Sequence, residues 1–353
     1  IYYLNKINSI YKHNKKVILL LAKAYFEMEK YEKSAEYWEE LIRLGDKNSW
    51  NCNYLSQCKQ KNRQYEEAFE NAWKAITLAK EDGIAHHLNF GYMLYEVKLE
   101  EGYDNILNWA NKWVKKFSDV PLVQYMGNAI LGNSQNQQNS LLGIQNIFDA
   151  FAPEFERTLA DLEYETPEKI FAALKKNKVP KSKILELGCG TGLCGNYLKK
   201  FAKLGQLYGI DISPMMLEEA KKKRVYNKLF CAEIVDFLQK NRKKFDLIVA
   251  ADVLTYFAEL DDVFFGIFNS LNNKGFFVFS VSKSPNGKDI FAHASGRYAH
   301  SLKYITSLAK NNGFSIYYKE ECRLRIENNN PVNGYICFLQ KCGQSNLEQI
   351  SIS

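Results

Sequence analysis

Residues 186 to 192 read Glu-Leu-Gly-Cys-Gly-Thr-Gly. They are entered from the apolar pair Ile184-Leu185 and followed, 25 positions after Glu186, by Asp211 at the end of a second apolar run, Leu207-Tyr208-Gly209-Ile210. Glycines at a strand-to-helix turn let backbone approach a ligand where any Cβ would clash, and the following helix offers unpaired N–H groups to polar or anionic parts of that ligand. An acid at the tip of the next strand accepts hydrogen bonds from ribose hydroxyls. Gly190-Thr191-Gly192-Leu193-Cys194-Gly195 also satisfies the G-x-G-x-x-G of dinucleotide sites, so the glycines alone admit two cofactors.

Glu186 bears on the choice. It places a carboxylate two residues before the first glycine, where a pyrophosphate is repelled and a cationic ammonium and sulfonium are attracted. S-adenosylmethionine is therefore the cofactor expected here; an NAD site and a glycine-rich turn without a ligand are the alternatives.

Outward from this turn the chain alternates. Strands are expected at 184–187, 207–210, 228–231, 245–250 and 275–281, and helices at 194–201, 215–224, 235–238, 260–270 and 301–310. Such alternation argues for a parallel sheet with helices on both faces, a doubly wound α/β domain. The ending differs. Strands at 315–324 and 334–340 are joined through Glu327-Asn-Asn-Asn-Pro331-Val-Asn333 with no helix between them, a closing antiparallel hairpin. Before the first strand, Ile144, Ile147, Phe148, Phe151 and Phe155 have helical spacing, with a stop near Pro167 and a further helix to Lys176.

The first part of the chain repeats. Tyr31, Ser34, Trp38, Leu41 and Leu44 recur 34 positions later as Tyr65, Ala68, Ala72, Ala75 and Leu78, and a degenerate third copy starts at Tyr103 with Ala110 and Trp113. Helical periodicity at a 34-residue interval is similar to the tetratricopeptide repeat, with Leu21, Ala22 and Tyr25 as first-helix packing residues. The expected division is an all-α repeat domain at 1–131, a polar linker at 132–140, an α/β domain at 141–343 and a tail at 344–353. The linker segment Gly132-Asn-Ser-Gln-Asn-Gln-Gln-Asn-Ser140 has no apolar residue.

At 353 residues, 46% hydrophobic and 25% charged, the composition is that of a soluble globular protein of two domains. The chain begins with Ile1 rather than Met, as one lacking its natural N-terminus would. No apolar run approaches a membrane span, and no signal-peptide pattern precedes the first one. Eight cysteines form no C-x-x-C pair, which suits reduced thiols in a cytoplasmic protein and no metal site. The net charge of +7 arises entirely after residue 150. Its basic runs, 175–183, 221–224 and 240–244, precede strands or end helices, at the rim opposite the carboxyl ends of the sheet; a nucleic-acid partner is not expected.

The second domain resembles the class I S-adenosylmethionine-dependent methyltransferases, Rossmann-like folds that close with an antiparallel hairpin. With the repeats in front, the chain resembles bacterial methyltransferases that carry tetratricopeptide repeats; Phe148-Asp-Ala-Phe-Ala152, Ala250-Ala-Asp-Val-Leu-Thr-Tyr256 and Ser295-Gly-Arg-Tyr-Ala-His-Ser301 are similar to segments of that group. The resemblance implies Glu186 and Gly188 beside the methionine moiety, Gly190 and Gly192 beneath the cofactor, Asp211 on the ribose, and Cys189 among the cofactor-binding residues of the turn. It places Glu233 against the adenine amino group, Ile212 and Ile234 around adenine, and Ala250 and Ala251 near the sulfonium. Asp246 is expected to be a structural strand-start residue.

Methyl transfer is an in-line displacement that needs positioning, plus a base when the nucleophile carries a proton. His300 is the candidate base, Arg297 the residue orienting an anionic or polar acceptor, and Tyr256, Asp252 and Tyr298 line the pocket; packing on the next helix is the plain alternative for Tyr298 and His300. His293 is a weaker candidate, and His86-His87 read as repeat-surface residues. Neither an Asn/Asp-Pro-Pro-aromatic motif nor a Pro-Cys pair is present, which leaves protein or small-molecule acceptors. The expected activity is methyl transfer to an O or N atom, with the repeats recruiting a protein partner or substrate. The competing reading is an adaptor with a vestigial or cofactor-sensing methyltransferase domain.

Overall fold

The computed structural model describes every residue except 12, 80–82, 103–104, 134–136, 328–329 and 343–353. It divides into two units, Ile1–Ile147 and Phe148–Ser353.

Eight helices occupy most of the first unit: α1 (Tyr2–Ile10), α2 (Lys15–Glu27), α3 (Tyr31–Arg43), α4 (Ser49–Lys61), α5 (Tyr65–Leu78), α6 (Gly83–Glu101), α7 (Ile106–Lys116) and α8 (Pro121–Leu131). Asn14 and Asn48 start α2 and α4 by accepting the otherwise orphaned N–H groups of Val17 and Asn51 at 3.4 and 2.9 Å. Leu21, Ala22, Tyr25, Ser34, Trp38 and Leu41 are all buried, and Ser34 Oγ ties α3 to α2 by donating to the Ala22 carbonyl at 2.8 Å. The second helix pair buries Ala68, Ala72 and Ala75, and α7 buries Ala110 and Trp113; Tyr103, the start of the third sequence copy, lies outside the described residues.

Two expectations change here. His86 and His87 are not surface residues: both are buried in α6, where His87 Nδ1 accepts the Trp113 indole N–H at 3.0 Å and burial pulls the imidazole down to about 4. The segment read as a linker is partly helical, because Gln137 to Ser140 open α9 (Gln137–Phe151), while 134–136 lie outside the described residues. The division of the two units falls within that helix, at Ile147/Phe148. The tail at 344–353 also lies outside the described residues.

The second unit continues with α10 (Phe155–Asp161) and α11 (Thr166–Lys176), in whose first turn Pro167 stands. Then come β1 (Ser182–Leu187), α12 (Leu193–Leu198), β2 (Ala202–Asp211), α13 (Pro214–Lys222), β3 (Lys228–Cys231), α14 (Ile234–Lys240) and β4 (Phe245–Ala250). They are followed by α15 (Asp261–Ser270), β5 (Leu271–Ser282), β6 (Ile290–Ala292), β7 (Tyr298–His300), α16 (Leu302–Asn311), β8 (Phe314–Glu327) and β9 (Asn330–Lys341).

Seven strands form one sheet in the order β3-β2-β1-β4-β5-β9-β8. The first five are parallel, with Leu185 level with Tyr208 on one side and Ile248 on the other. Strand β9 runs antiparallel to β5, and β8 antiparallel to β9, which is the closing hairpin the sequence led us to expect. This is a Rossmann-like α/β fold. Apolar side chains of β1, β4 and β5 fill both faces, with Leu185, Ile248, Phe277 and Phe279 on one and Ile184, Leu247, Val249 and Val278 on the other. Such two-sided burial explains why these strands read as continuous apolar runs. The small β6–β7 hairpin was not foreseen, since three-residue strands of mixed composition carry no periodicity.

Strand order reverses between β1 and β4. Ligands of open α/β sheets bind at such a switch point, outside the carboxyl ends of the strands. The glycine turn after β1 and Ala250-Ala251-Asp252 after β4 both lie there.

Candidate functional site

The turn after β1 is a run of left-handed backbone. Gly188, Gly190 and Gly192 have φ of +61°, +52° and +86°, a region where side chains are disfavoured. Their surroundings differ. A Cβ at Gly188 would lie 2.4 Å from Val253 Cγ2, so this glycine lets the loop after β4 close on the turn. Above Gly190 a Cβ would meet only Phe155 Cε1, at 3.7 Å, so space stays open over the turn that a ligand can take. Cys189 is buried, and its N–H donates to the Ile210 carbonyl at 2.9 Å, stitching the turn to β2.

Asp211 organises the other wall. Its Oδ2 accepts the Gly190 N–H at 2.8 Å and its Oδ1 the Ser213 N–H at 2.9 Å. Burial nevertheless pushes its carboxyl up to about 6. Ser213 caps α13 through the Met216 N–H and donates its hydroxyl to Asp149 Oδ1 at 2.6 Å. Asp149 was missed as a site residue: its only signal was the Phe148–Ala152 segment, which says nothing of a bond 64 residues away. Around it, Phe148 packs edge-on against Tyr256 with centroids 5.4 Å apart, and Glu156 pairs with Lys223.

Glu186 is 1% exposed, and Tyr226 donates its hydroxyl to Oε2 at 2.8 Å. Burial, with Asp211 adding repulsion, pushes the carboxyl up to about 8 despite that bond. The charge argument from sequence changes accordingly. With nothing bound, Glu186 is mostly a neutral acid at pH 7, and its negative charge develops when a cation comes beside it or the pH rises.

The remaining cofactor candidates are distributed around this turn. Ile212 is half-buried beside Asp211, Ile234 is buried at the start of α14, Ala250 is fully buried at the end of β4, and Ala251 is half-buried. Glu233 is the N-cap of α14, its Oε2 accepting the Asp236 N–H at 2.7 Å. Asp246 takes the Lys183 N–H at 2.9 Å, Lys203 at 3.0 Å and Asn272 at 2.8 Å, at the amino ends of the strands.

The acceptor-side candidates are placed less simply. His300 is fully buried, stacks on Tyr304 of α16 at 18°, and has Nε2 3.0 Å from the Ala258 carbonyl. Burial holds it below the usual imidazole range, and its Nδ1 is enclosed without a hydrogen-bond partner. This geometry is that of a packing residue under the loop, contrary to the expectation of an open base. Arg297 is not an open cation: it pairs with Glu327 at 3.1 Å. Tyr256 is half-buried in a short 3-10 turn, and Tyr298, also half-buried, accepts the Thr255 hydroxyl through its carbonyl at 2.9 Å. His293 is half-buried against Phe291, its N–H on the Arg297 carbonyl.

Sequence reading missed Arg325 and Glu327. Arg325, 5% exposed by its side chain, donates to Asp252 Oδ2 at 3.0 Å and to Glu327 Oε2 at 3.2 Å. A charged strand residue on β8 gives no hint of a partner 73 positions earlier. Among the described residues no helix is long and apolar enough to cross a membrane, and no group of three or more His, Cys, Asp or Glu is placed to hold a metal.

Residues 185–277 match a family profile described as a methyltransferase domain. Over 167 residues the chain is 28% identical to the malonyl-[acyl-carrier protein] O-methyltransferase of Legionella pneumophila, covering 46% of this chain and 58% of that one. It is 34% identical over 92 residues to the ribosomal RNA small subunit methyltransferase C of Haemophilus influenzae, covering 25% and 27%. The chain thus spans less than two thirds of the length of these curated relatives. Among solved structures, an S-adenosylmethionine-dependent methyltransferase from Clostridium acetobutylicum aligns at 20% identity and a TM-score of 0.42, covering 56% of this chain and 99% of that one. The second unit carries a methyltransferase domain.

Proposed function

We propose that the chain binds S-adenosylmethionine at the turn 188–192 and transfers its methyl group to an O or N atom of a protein or small-molecule acceptor. The observation that carries this reading is the left-handed glycine run tied through the Gly190 N–H to Asp211, with open space above Gly190. The match of residues 185–277 to a methyltransferase domain and the names of the relatives support it.

When bound, S-adenosylmethionine supplies an activated methyl carbon on a cationic sulfur. The chain's own residues do the rest. Asp211 holds the turn and offers its remaining lone pairs to hydroxyl donors. Glu186 supplies an ionisable carboxyl that favours a cation, whereas a pyrophosphate would gain nothing from it. Phe155, 3.7 Å from where a Gly190 Cβ would stand, borders the space over the turn, and the enclosed Thr191 hydroxyl, without a hydrogen-bond partner, is a spare polar group in the turn.

We further read the first unit as a tetratricopeptide-like domain that recruits a partner or substrate. The 34-residue interval between the starts of α3 and α5 supports this, as does a groove of about 410 Å³ lined by residues including Glu66, Trp73, Trp109 and Lys112. Transfer of labelled methyl from S-adenosylmethionine into fractionated cell extract tests the activity. Absence of label in every fraction, with the cofactor bound, would favour the cofactor-sensing adaptor.

A further inference from the structure

The groove of the first unit already holds a cation of its own. It runs between α5 and α7, and its lining includes Glu66, Glu70, Trp73, Trp109 and Lys112. The two indole rings stand 5.8 Å apart at 60°, as the walls of a corner. Lys112 turns its ammonium to both of them, 4.5 Å from the Trp73 ring centroid and 4.4 Å from that of Trp109. Ring faces are the negative side of an aromatic quadrupole, and these distances are those of a cation–π contact with two rings at once.

The walls are fixed and their occupant is not. Trp109 is buried, its indole N–H donates to Glu66 Oε1 at 3.3 Å, and Glu66 Oε2 accepts the Asn105 amide at 2.9 Å. Trp73 meets Phe90 and Phe117 edge to face. Lys112, by contrast, is exposed and makes no ion pair among the described residues. A long exposed stem leaves such a seat easily, because staying there costs rotamer freedom. With Lys112 turned out, the groove lining holds two carboxylates, Glu66 and Glu70, against one ammonium, Lys74, so the vacated corner favours another cation.

The occupant in place decides which cation can win. A plain lysine from a partner is chemically the same as Lys112 and gains nothing by displacing it. Methylation keeps the charge and weakens the hydration of the ammonium, so a methylated lysine loses less water on entry and adds apolar contact with the rings. We propose that the corner between Trp73 and Trp109 receives a methylated lysine of a partner protein, and that Lys112 occupies it until that side chain displaces it. This rests on the reading of the first unit as a recruiting domain. Lys112 lowers the affinity of every ligand by one common factor, set by the fraction of time that it is turned out. Plain lysine is thereby excluded, while the methylated form still binds.

The test uses the full chain and a short, fluorescently labelled Gly/Ser peptide with one central lysine, either plain or trimethylated, read by polarisation. The trimethylated peptide is expected to bind about tenfold or more tighter than the plain one. Lys112→Ala is expected to tighten both by the same factor, about fivefold or more. Trp73→Leu and the exposed Glu70→Lys should each weaken the trimethylated peptide about fivefold or more, with circular dichroism reporting an intact helical fold. A Lys112→Ala variant that binds no tighter shows that Lys112 only shields the rings, and overturns the proposal. Tetramethylammonium that binds as tightly as the peptide marks a site for free ammonium ions and overturns it as well. Two peptides bound equally, and both weakened by Glu70→Lys, overturn the methylated lysine and leave recruitment by the groove standing. Neither peptide bound, by wild type or by Lys112→Ala, overturns the proposal and removes the groove from the recruitment reading too.

Discussion

The buried Glu186 makes the stability of the second unit depend on pH in a direction opposite to that of an ordinary ion-paired carboxylate. Burial raises its folded-state pKa to about 8, while an unfolded chain has about 4.3. Between those values the folded protein keeps a proton that the unfolded chain gives up, so stability falls as pH rises through the window. Linkage with these two values gives a loss of about 2 kcal/mol between pH 6 and pH 8. Asp211, raised to about 6, adds only about 0.4 kcal/mol over the same interval. His293 and His300, both lowered mainly by burial, act in the opposite sense, so the wild-type profile alone is not diagnostic. The difference between wild type and Glu186→Gln is diagnostic, because glutamine mimics the protonated acid, still accepts the Tyr226 hydroxyl, and leaves the other groups in place. All five tryptophans lie in the first unit, so their fluorescence would report the wrong domain. Hydrogen exchange of peptides from β1 and β4, corrected for intrinsic rates, gives the opening free energy of the second unit directly. The two proteins are expected to be equally stable at pH 6, with the glutamine variant ahead by about 2 kcal/mol at pH 8. A difference that stays flat, or one that grows toward low pH, refutes the assignment of a buried neutral acid.

Two further outcomes are expected. Gly188→Ala combines a left-handed φ with a Cβ 2.4 Å from Val253, and should lower the melting temperature of the second unit by several degrees, with a loss of about 2 kcal/mol or more; an unchanged melting curve would show that the loop after β4 yields freely. His300→Phe keeps the ring against Tyr304 while losing the bond to Ala258. Turnover within about tenfold of wild type supports a packing role, whereas a loss of about 10³ or more with cofactor affinity intact returns His300 to the role of base.

Strand-level architecture was legible because each buried parallel strand is a short apolar run ended by a turn residue. Strands 228–231 and 245–250 coincide with β3 and β4. The hairpin at the end was legible from the missing helix between two such runs, and the glycine turn from three glycines and one spaced acid. What escaped the sequence depends on distance in the chain or on burial. The Asp149–Ser213 bond and the Asp252–Arg325 pair join residues far apart, and no local pattern encodes either. His86 and His87 read as polar, yet α6 packs them inside, where Trp113 and Trp50 supply aromatic neighbours. Glu186 was identified by its position, but its protonation could only follow from seeing it enclosed beneath Tyr226. On the acceptor side the sequence offered residue types known to do chemistry, His300 and Arg297, and both are engaged by other groups in the fold.

The central claim is that the turn at 188–192, held by Asp211, is an S-adenosylmethionine site. Calorimetric titration of the full chain with S-adenosylmethionine tests it most directly, repeated with Asp211→Ala and with NAD as competitor. Saturable one-to-one binding is expected, with a loss of about tenfold or more in the alanine variant, from which the acceptor of ribose hydrogen bonds and the tie to Gly190 are both gone, and no displacement by NAD. Absence of binding, binding indifferent to Asp211, or displacement by NAD would contradict it.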